Sequence, residues 1–192
     1  TVTSTDVDGG TAVYSITGGA DQTLFSINSS TGVLTFNAAP NFEIPSDAGA
    51  NNVYDVTVQV SDGNGGTATQ AIAVTVTNLN DNAPEITSAA AADADENQTT
   101  AIDVDSSDAD GETEDGGGLS YSFTTDGGGV DNDLFDLDSD TGELSFKVAP
   151  DFEVPGDDDG DGVYEVPVTV TDAASQTDTQ NIAVTVTDAN DA

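Results

Sequence analysis

Residues 24–45 read LFSINSSTGVLTFNAAPNFEIP, and residues 134–155 read LFDLDSDTGELSFKVAPDFEVP. These are two copies of one unit, 110 positions apart. The same offset carries VYDVTVQVSDG (53–63) onto VYEVPVTVTDA (163–173), and QAIAVTVTNLNDN (70–82) onto QNIAVTVTDANDA (180–192). Upstream, Tyr14 aligns with Tyr121 at offset 107, and Asp6 and Asp8 align with Asp108 and Asp110 at offset 102. The second copy therefore carries extra residues at 111–118 and again at 126–133. A repeat of this length describes two small domains. The expected boundaries are 1–82 and 83–192, within what reads as a segment of a longer chain.

Each copy has the period of a β-strand. Tyr54, Val56, Val58 and Val60 alternate with polar residues, as do Ile72, Val74 and Val76. The second copy repeats both runs at 164–170 and 182–186. A period of two places one face in a core and the other in water. Ser29-Ser30-Thr31-Gly32 and Ser139-Asp140-Thr141-Gly142 sit between short apolar runs and read as hairpin turns, with glycine supplying a positive φ. No helical period runs for a useful length. Many short strands with turns between them predict an all-β chain of two tandem Greek-key β-sandwiches, immunoglobulin-like in architecture. The expected core is Tyr14, Phe25, Leu34, Phe36, Tyr54, Val58, Ile72 and Val74, with their partners in the second copy.

Composition excludes whole classes of function. The 192 residues include 37 acids and one base, Lys147, for a formal charge of -36. There is no Cys, His, Met or Trp. Thiol chemistry, haem, iron–sulfur and zinc-finger sites and His-based triads are therefore ruled out. One lysine makes no phosphate-binding patch, so nucleic acid is not an expected partner. No apolar run approaches the roughly 18–20 residues that cross a bilayer as a helix. So much like charge opposes compaction unless salt screens it or cations neutralise it. Low hydrophobicity with high charge is also the signature of disorder; the regular apolar alternation argues for folding instead.

The acids gather at strand ends. Asp6-Val7-Asp8 and Asp108-Ala109-Asp110 are each followed by glycine. Asn41-Phe42-Glu43 answers Asp151-Phe152-Glu153, and Asn78-Leu79-Asn80-Asp81-Asn82 answers Asp188-Ala189-Asn190-Asp191. Asp62 and Asp172 close the central strands. Two carboxylates about 4 Å apart repel by roughly 1–4 kcal/mol, and a hard cation removes that cost. Oxygen-only ligation, with no His or Cys, points to Ca²⁺, which takes six to eight oxygens at flexible geometry.

These motifs, in this order, resemble the cadherin repeat. That repeat has a D-x-D after strand B, an L-D-R-E-like element before strand F, an aspartate ending strand F and a D-x-N-D-N linker. It also has an x-E-x near the end of strand A, matched here by Asp95-Glu96-Asn97. The resemblance covers nearly the whole chain, and it implies calcium ions between successive domains. Carried over, one site would use Glu43, Asn80, Asp81, Asn82, Asp108, Asp110 and Asp172. A backbone carbonyl in the 114–118 loop would add a further ligand. Asp6, Asp8 and Asp62 would form half of a site shared with a preceding domain, and Glu96, Asp151, Glu153, Asn190 and Asp191 half of one shared with a following domain.

The chain departs from that pattern in three ways. The first copy starts at the equivalent of strand B and lacks strand A, with the glutamate that would match Glu96. Asn41 and Phe42 replace the usual Asp and Arg, and Asn78 opens the linker motif in place of Asp. The ion held by Asn80, Asn82, Asp108, Asp110 and Asp172 is therefore expected to be the best formed, and the outermost one, near Asn41 and Glu43, the weakest. An uncovered sheet edge in the first copy also makes strand exchange or dimerisation an expectation.

Two acidic runs lie outside the motif set. Asp157, Asp159 and Asp161 with Gly162 begin like an EF-hand loop, but its twelfth position is Val168, not Glu. They stand as a further calcium candidate beside the reading of a solvated loop. Asp103 and Asp105 flank Val104 on a strand and read as a solvated face. Paired carboxylates also serve glycoside hydrolysis, yet each acidic pair here has a better account as a metal ligand, and no enzyme is expected. The reading is an extracellular or cell-surface adhesion module of bacterial style. Its partner is itself or a neighbouring cadherin-like chain, and the alternative is calcium-dependent polysaccharide binding.

Overall fold

The alternating runs form the longest strands of each copy. The computed structural model describes residues 1–124 and 131–189, and the chain divides into two compact units, Thr1–Leu79 and Asn80–Ala192. Unit 1 contains β1 (Val13–Gly18), β2 (Phe25–Ile27), β3 (Leu34–Phe36), β4 (Val53–Ser61) and β5 (Thr67–Thr75). β1, β4 and β5 make one antiparallel sheet, and β2 and β3 a hairpin. Unit 2 contains β6 (Glu85–Ile86), β7 (Ala91–Asp95), β8 (Thr100–Asp103), β9 (Ser106–Ser107), β10 (Ser120–Phe123), β11 (Phe135–Leu137), β12 (Glu143–Phe146), β13 (Val163–Thr171) and β14 (Thr177–Thr187). Its sheets run β10-β13-β14-β7 and β11-β12-β8, with a short β6-β9 ladder. The insertion expected at 126–133 falls mostly outside the described residues. No helix among the described residues is long and apolar enough to cross a membrane.

The register repeats with the sequence. Tyr54 faces Val74 across β4 and β5, as Tyr164 faces Val184 across β13 and β14. Tyr14 faces Val60, as Tyr121 faces Val170. Both hairpins close at a glycine in the left-handed region: Gly32 at φ 66° and Gly142 at φ 78°. A side chain there would also collide, since a Cβ on Gly142 would lie 2.4 Å from Val104 O and one on Gly32 2.4 Å from Val2 O. Asn28 and Asp138 finish the turns by accepting two backbone N–H groups each.

The unit 2 core fills the space between its two sheets. Phe135, Leu144 and Phe146 on one side meet Tyr121, Tyr164, Val166, Val168, Val170, Ile182, Val184 and Val186 on the other. Phe146 and Tyr164 meet edge to face at 5.1 Å, as Phe36 and Tyr54 do in unit 1. Full burial of such side chains is worth about 1.5–3 kcal/mol each. Of the core expected in unit 1, Tyr14, Phe25, Tyr54 and Val58 are buried, together with Val56. Leu34, Phe36, Ile72 and Val74 pack against them but remain partly exposed.

The difference has a local cause. In unit 2, β7 covers the edge of β14 in parallel and β8 covers β12. Among the described residues of unit 1, no strand stands beside β5 or β3 in those places. Val2 N donates to Gly32 O (2.8 Å) as Val104 N donates to Gly142 O (3.1 Å), so residue 2 occupies the position just past β8. Among the described residues, no strand of unit 1 pairs with β5 as β7 pairs with β14, or with β3 as β8 pairs with β12.

Candidate metal centres

The acidic motifs sit on tight turns because one carboxylate oxygen of each aspartate binds backbone. Asp108 Oδ1 accepts from Asp110 N (2.6 Å), and Asp6 Oδ1 from Asp8 N (2.9 Å). Asp172 Oδ1 accepts from Gln176 N (2.6 Å), closing the β13–β14 turn, and Asp62 Oδ1 accepts from Asn64 N and Gly66 N in the matching turn. Asn41 Oδ1 and Asp151 Oδ1 each accept from the N–H three residues on, Ile44 and Val154.

In unit 2 this brings acids together in three places. Asp108, Glu112 and Asp172 place carboxylate oxygens within 4.8 Å of one another. Asp172 is only 5% exposed. Asp108 Oδ2 and Asp172 Oδ2 are both buried and meet no donor. The 80–82 segment lies against this centre. Asp110 Oδ2 accepts from Asp81 N (3.0 Å) and Asn82 N (2.8 Å), and Asp110 Oδ1 from Asn82 Nδ2 (3.0 Å). Asn80 Nδ2 donates to Glu112 Oε2 (2.7 Å), and Gln176 Nε2 donates to Asn82 O (2.9 Å).

The second group is Glu96, Asp151 and Glu153, again within 4.8 Å. Glu96 is 1% exposed, yet both its oxygens are satisfied, by Ala189 N (2.8 Å) and Phe152 N (3.0 Å). Asn190 and Asp191, expected beside it, lie outside the described residues. The third group is Asp157, Asp159 and Asp161. Asp157 Oδ2 accepts from Asp161 N (2.8 Å) and Oδ1 from Gly162 N (3.2 Å). Burial pushes the Asp157 carboxyl up, but the N–H groups of Asp161, Asp157 itself and Gly162, with the Asp159 side chain, outweigh it and lower the group overall. The Asp161 N–H pulls Asp159 down, but the charge of Asp161, burial, and the neighbouring Asp157 together raise it.

In unit 1, Asp47 holds the matching loop by accepting from Gly49, Asn51 and Asn52 N–H groups, while Gly49 and Asn51 stand where Asp159 and Asp161 do. The loop thus forms without acids at the second and third positions. Asp6 and Asp62 both border Gly10, but Asp6, Asp8 and Asp62 do not converge as a set of three among the described residues. Glu43 is half-buried in the turn after Asn41. Asp103 and Asp105 are exposed around buried Val104. Burial first, and then the charges of Asp105, Glu114, Glu143 and Asp115, raise the Asp103 carboxyl.

Two kinds of residue escaped the sequence reading. Glu112 joins Asp108 and Asp172, although its spacing two residues after Asp110 continues the D-x-D alternation. Asp21 and Asp131, each 4% exposed, are not at motif positions and act as backbone acceptors. Asp21 takes Ala48 N and Asp55 N, both at 2.7 Å, and Asp131 takes Asp158 N and Glu165 N, both at 2.9 Å.

The donor set of the Asp108 centre fits a hard cation: oxygen ligands only, two of them buried without a donor. No family model matches the chain, and no curated protein matches it. Among solved structures it is similar to mouse cadherin-23 EC22-24, with 20% identity and a TM-score of 0.66 over 93% of this chain and 53% of that one. It is similar to human protocadherin-24 EC1-2, with 16% identity and a TM-score of 0.67 over 97% and 85%. A cis-dimer structure of protocadherin gammaB7 EC3-6 matches at 21% identity and a TM-score of 0.65 over 91% and 43%. The chain spans about half the length of the cadherin-23 and gammaB7 structures it matches. At these identities the likeness shows the fold, that of cadherin extracellular domains.

Proposed function

We propose that this chain is an extracellular, calcium-binding adhesion module that associates with itself or with a related chain. One observation carries the calcium reading: Asp108 Oδ2 and Asp172 Oδ2 are each buried without a donor, in two residues whose carboxylates gather with a third. Buried acceptors without partners cost about 1–3 kcal/mol each, and more when charged. A cation coordinated by Asp108, Asp172 and the Asn80–Asn82 segment would turn that cost into binding energy. Calcium there would supply positive charge and oxygen coordination, tying the segment that follows unit 1 onto unit 2 and stiffening the connection. The Glu96 group is a second candidate centre, and the Asp157 group a third.

The adhesion half of the reading is supported by fold likeness to cadherin extracellular domains, one of them in a cis-dimer structure. Polysaccharide binding finds less support, because Phe152 is the one aromatic ring exposed among the described residues, and sugar platforms are usually built from several.

The test is thermal unfolding in EDTA, calcium and magnesium at constant ionic strength. A ligand that binds only the native state adds about 2.7 kcal/mol at a hundred times its dissociation constant. A calcium-specific rise in Tm is expected. An equal response to magnesium, or none, would overturn the calcium reading. Sedimentation velocity with and without calcium reads self-association separately, and a monomer at all concentrations would remove the homophilic half.

A further inference from the structure

Glu112 stands outside the acidic motifs that the two copies share. It lies two residues beyond the D-x-D, half-buried, with a carboxylate oxygen within 4.8 Å of one carboxylate oxygen each of Asp108 and Asp172. Its position is fixed from three sides. Asn80 Nδ2 donates to Oε2 at 2.7 Å, and Ala173 N donates to Oε1 at 3.3 Å. Gly118, at φ 116°, makes room for it, since a Cβ there would lie 2.9 Å from Oε1 and 3.0 Å from Cγ. A carboxylate offers about four lone-pair sites. Two donors leave capacity on both oxygens, beside two buried aspartate oxygens that meet no donor.

Unit 1 offers the contrast. Two residues beyond its D-x-D stands Gly10, where a Cβ would lie 2.7 Å from Asp62 O and 3.4 Å from Asp6 Oδ2. The same backbone position thus borders the same pair of aspartates in both copies. Only the second copy puts a carboxylate there.

We infer that Glu112 is a direct ligand of the cation held by Asp108 and Asp172, making this a three-carboxylate centre. The inference rests on the calcium reading above. Affinity in oxygen-ligand calcium sites rises with the number of charged ligands, so this centre binds tighter than a site with the two aspartates alone. Asn80 and Ala173 act as positioning partners: they hold the Glu112 carboxylate in place before the ion arrives.

The test is calorimetric titration of the whole chain with calcium chloride, comparing the unchanged protein with Asp172→Asn, Glu112→Gln and Glu112→Asp. Asp172→Asn identifies the calcium step belonging to this centre. Loss of an outer-sphere partner alone weakens metal sites about 10–100-fold, so Glu112→Gln should weaken that step by at least about tenfold. Gln keeps the size and an oxygen acceptor, and an unchanged Tm in EDTA shows that the fold is intact. Glu112→Asp keeps the charge but withdraws it by one methylene, so direct ligation predicts weakening here too. Retained affinity in Glu112→Asp, or in Glu112→Gln while Asp172→Asn loses the step, overturns the Glu112 inference and leaves the calcium reading standing. If Asp172→Asn leaves every calcium step intact, the centre does not bind calcium and both fall.

Discussion

Ile72 and Ile182 hold the same place in two copies of the hexapeptide Ile-Ala-Val-Thr-Val-Thr, yet Ile182 has no exposed surface and Ile72 is partly exposed. The residues do not differ; their neighbours do. β7 lies against β14, and Ala94 of β7 with Ala101 and Ile102 of β8 join the core around Ile182. Around Ile72 these side chains have no counterpart among the described residues.

Unit 1 of this chain should therefore unfold first. Ile72, Val74 and Val76 are each half-buried, forgoing about 1 kcal/mol apiece against full burial. Scanning calorimetry in EDTA should resolve two transitions. Val58→Ala should lower the cooler one and Val168→Ala the hotter one, each by roughly 2 kcal/mol. A single transition that responds to both substitutions would refute this.

Asp131 should matter to stability whether or not calcium is present. Its carboxylate takes the backbone N–H groups of Asp158 and Glu165, and removing it leaves two donors without partners. Asp131→Ala should cost roughly 2–3 kcal/mol. Urea melts in EDTA and in calcium should show similar losses. A loss confined to calcium would instead make Asp131 part of a metal centre.

The pH profile of the metal-free protein should carry two opposing contributions. Burial raises the Asp47 carboxyl, but N–H groups of Asn51, Asn52 and Gly49 outweigh it and lower it overall. A lowered folded pKa stabilises above the unfolded value, about 3.9, and that stability is lost as pH falls through the folded pKa. Glu165 is raised, by burial first and then by the charges of Asp131, Asp159 and Asp161. Its contribution is present below its unfolded value, about 4.3, and is lost as pH rises through the folded pKa. Asp47→Asn should accordingly flatten the acid limb, and Glu165→Gln should raise the Tm at pH 7 but not below pH about 4. A Glu165→Gln variant less stable at pH 7 would contradict the second expectation.

Gly142 should not tolerate a side chain. Alanine there meets Val104 O and the Tyr121 ring at an unfavourable φ. Gly142→Ala should destabilise unit 2 by about 1–3 kcal/mol, read as a fall in the hotter transition alone. An unshifted hotter transition would mean that the turn relaxes without penalty.

How far the sequence could be read divides along physical lines. Alternation and the internal repeat are properties of the chain itself, so the β-sandwich and the two Gly turns at Gly32 and Gly142 were legible. Burial belongs to neighbours, so Leu34, Phe36, Ile72 and Val74 were expected deeper than they lie. Acids were harder still, because a carboxylate that holds backbone and one that awaits a cation are the same residue type. Asp21 and Asp131 accept backbone N–H groups with both oxygens, whereas Asp108 and Asp172 give one oxygen to the backbone and keep the other buried. Only the folded surroundings separate these uses. Glu112 was missed because the first copy has no acid two residues past its D-x-D, where Gly10 stands.

The parallel register of β7 with β14 has a mechanical consequence. Five residue pairs, from Ala91 with Ala183 to Asp95 with Thr187, join the strand near the start of unit 2 to the strand near its end. Ladder hydrogen bonds run across the strands. Tension drawn between the two ends of the unit therefore slides β7 along β14 and loads the whole set of bonds at once. Unzipping would break them one by one. Unit 2 carries this shear clamp; among the described residues, β5 of unit 1 pairs only with antiparallel β4 and has no parallel partner to form one.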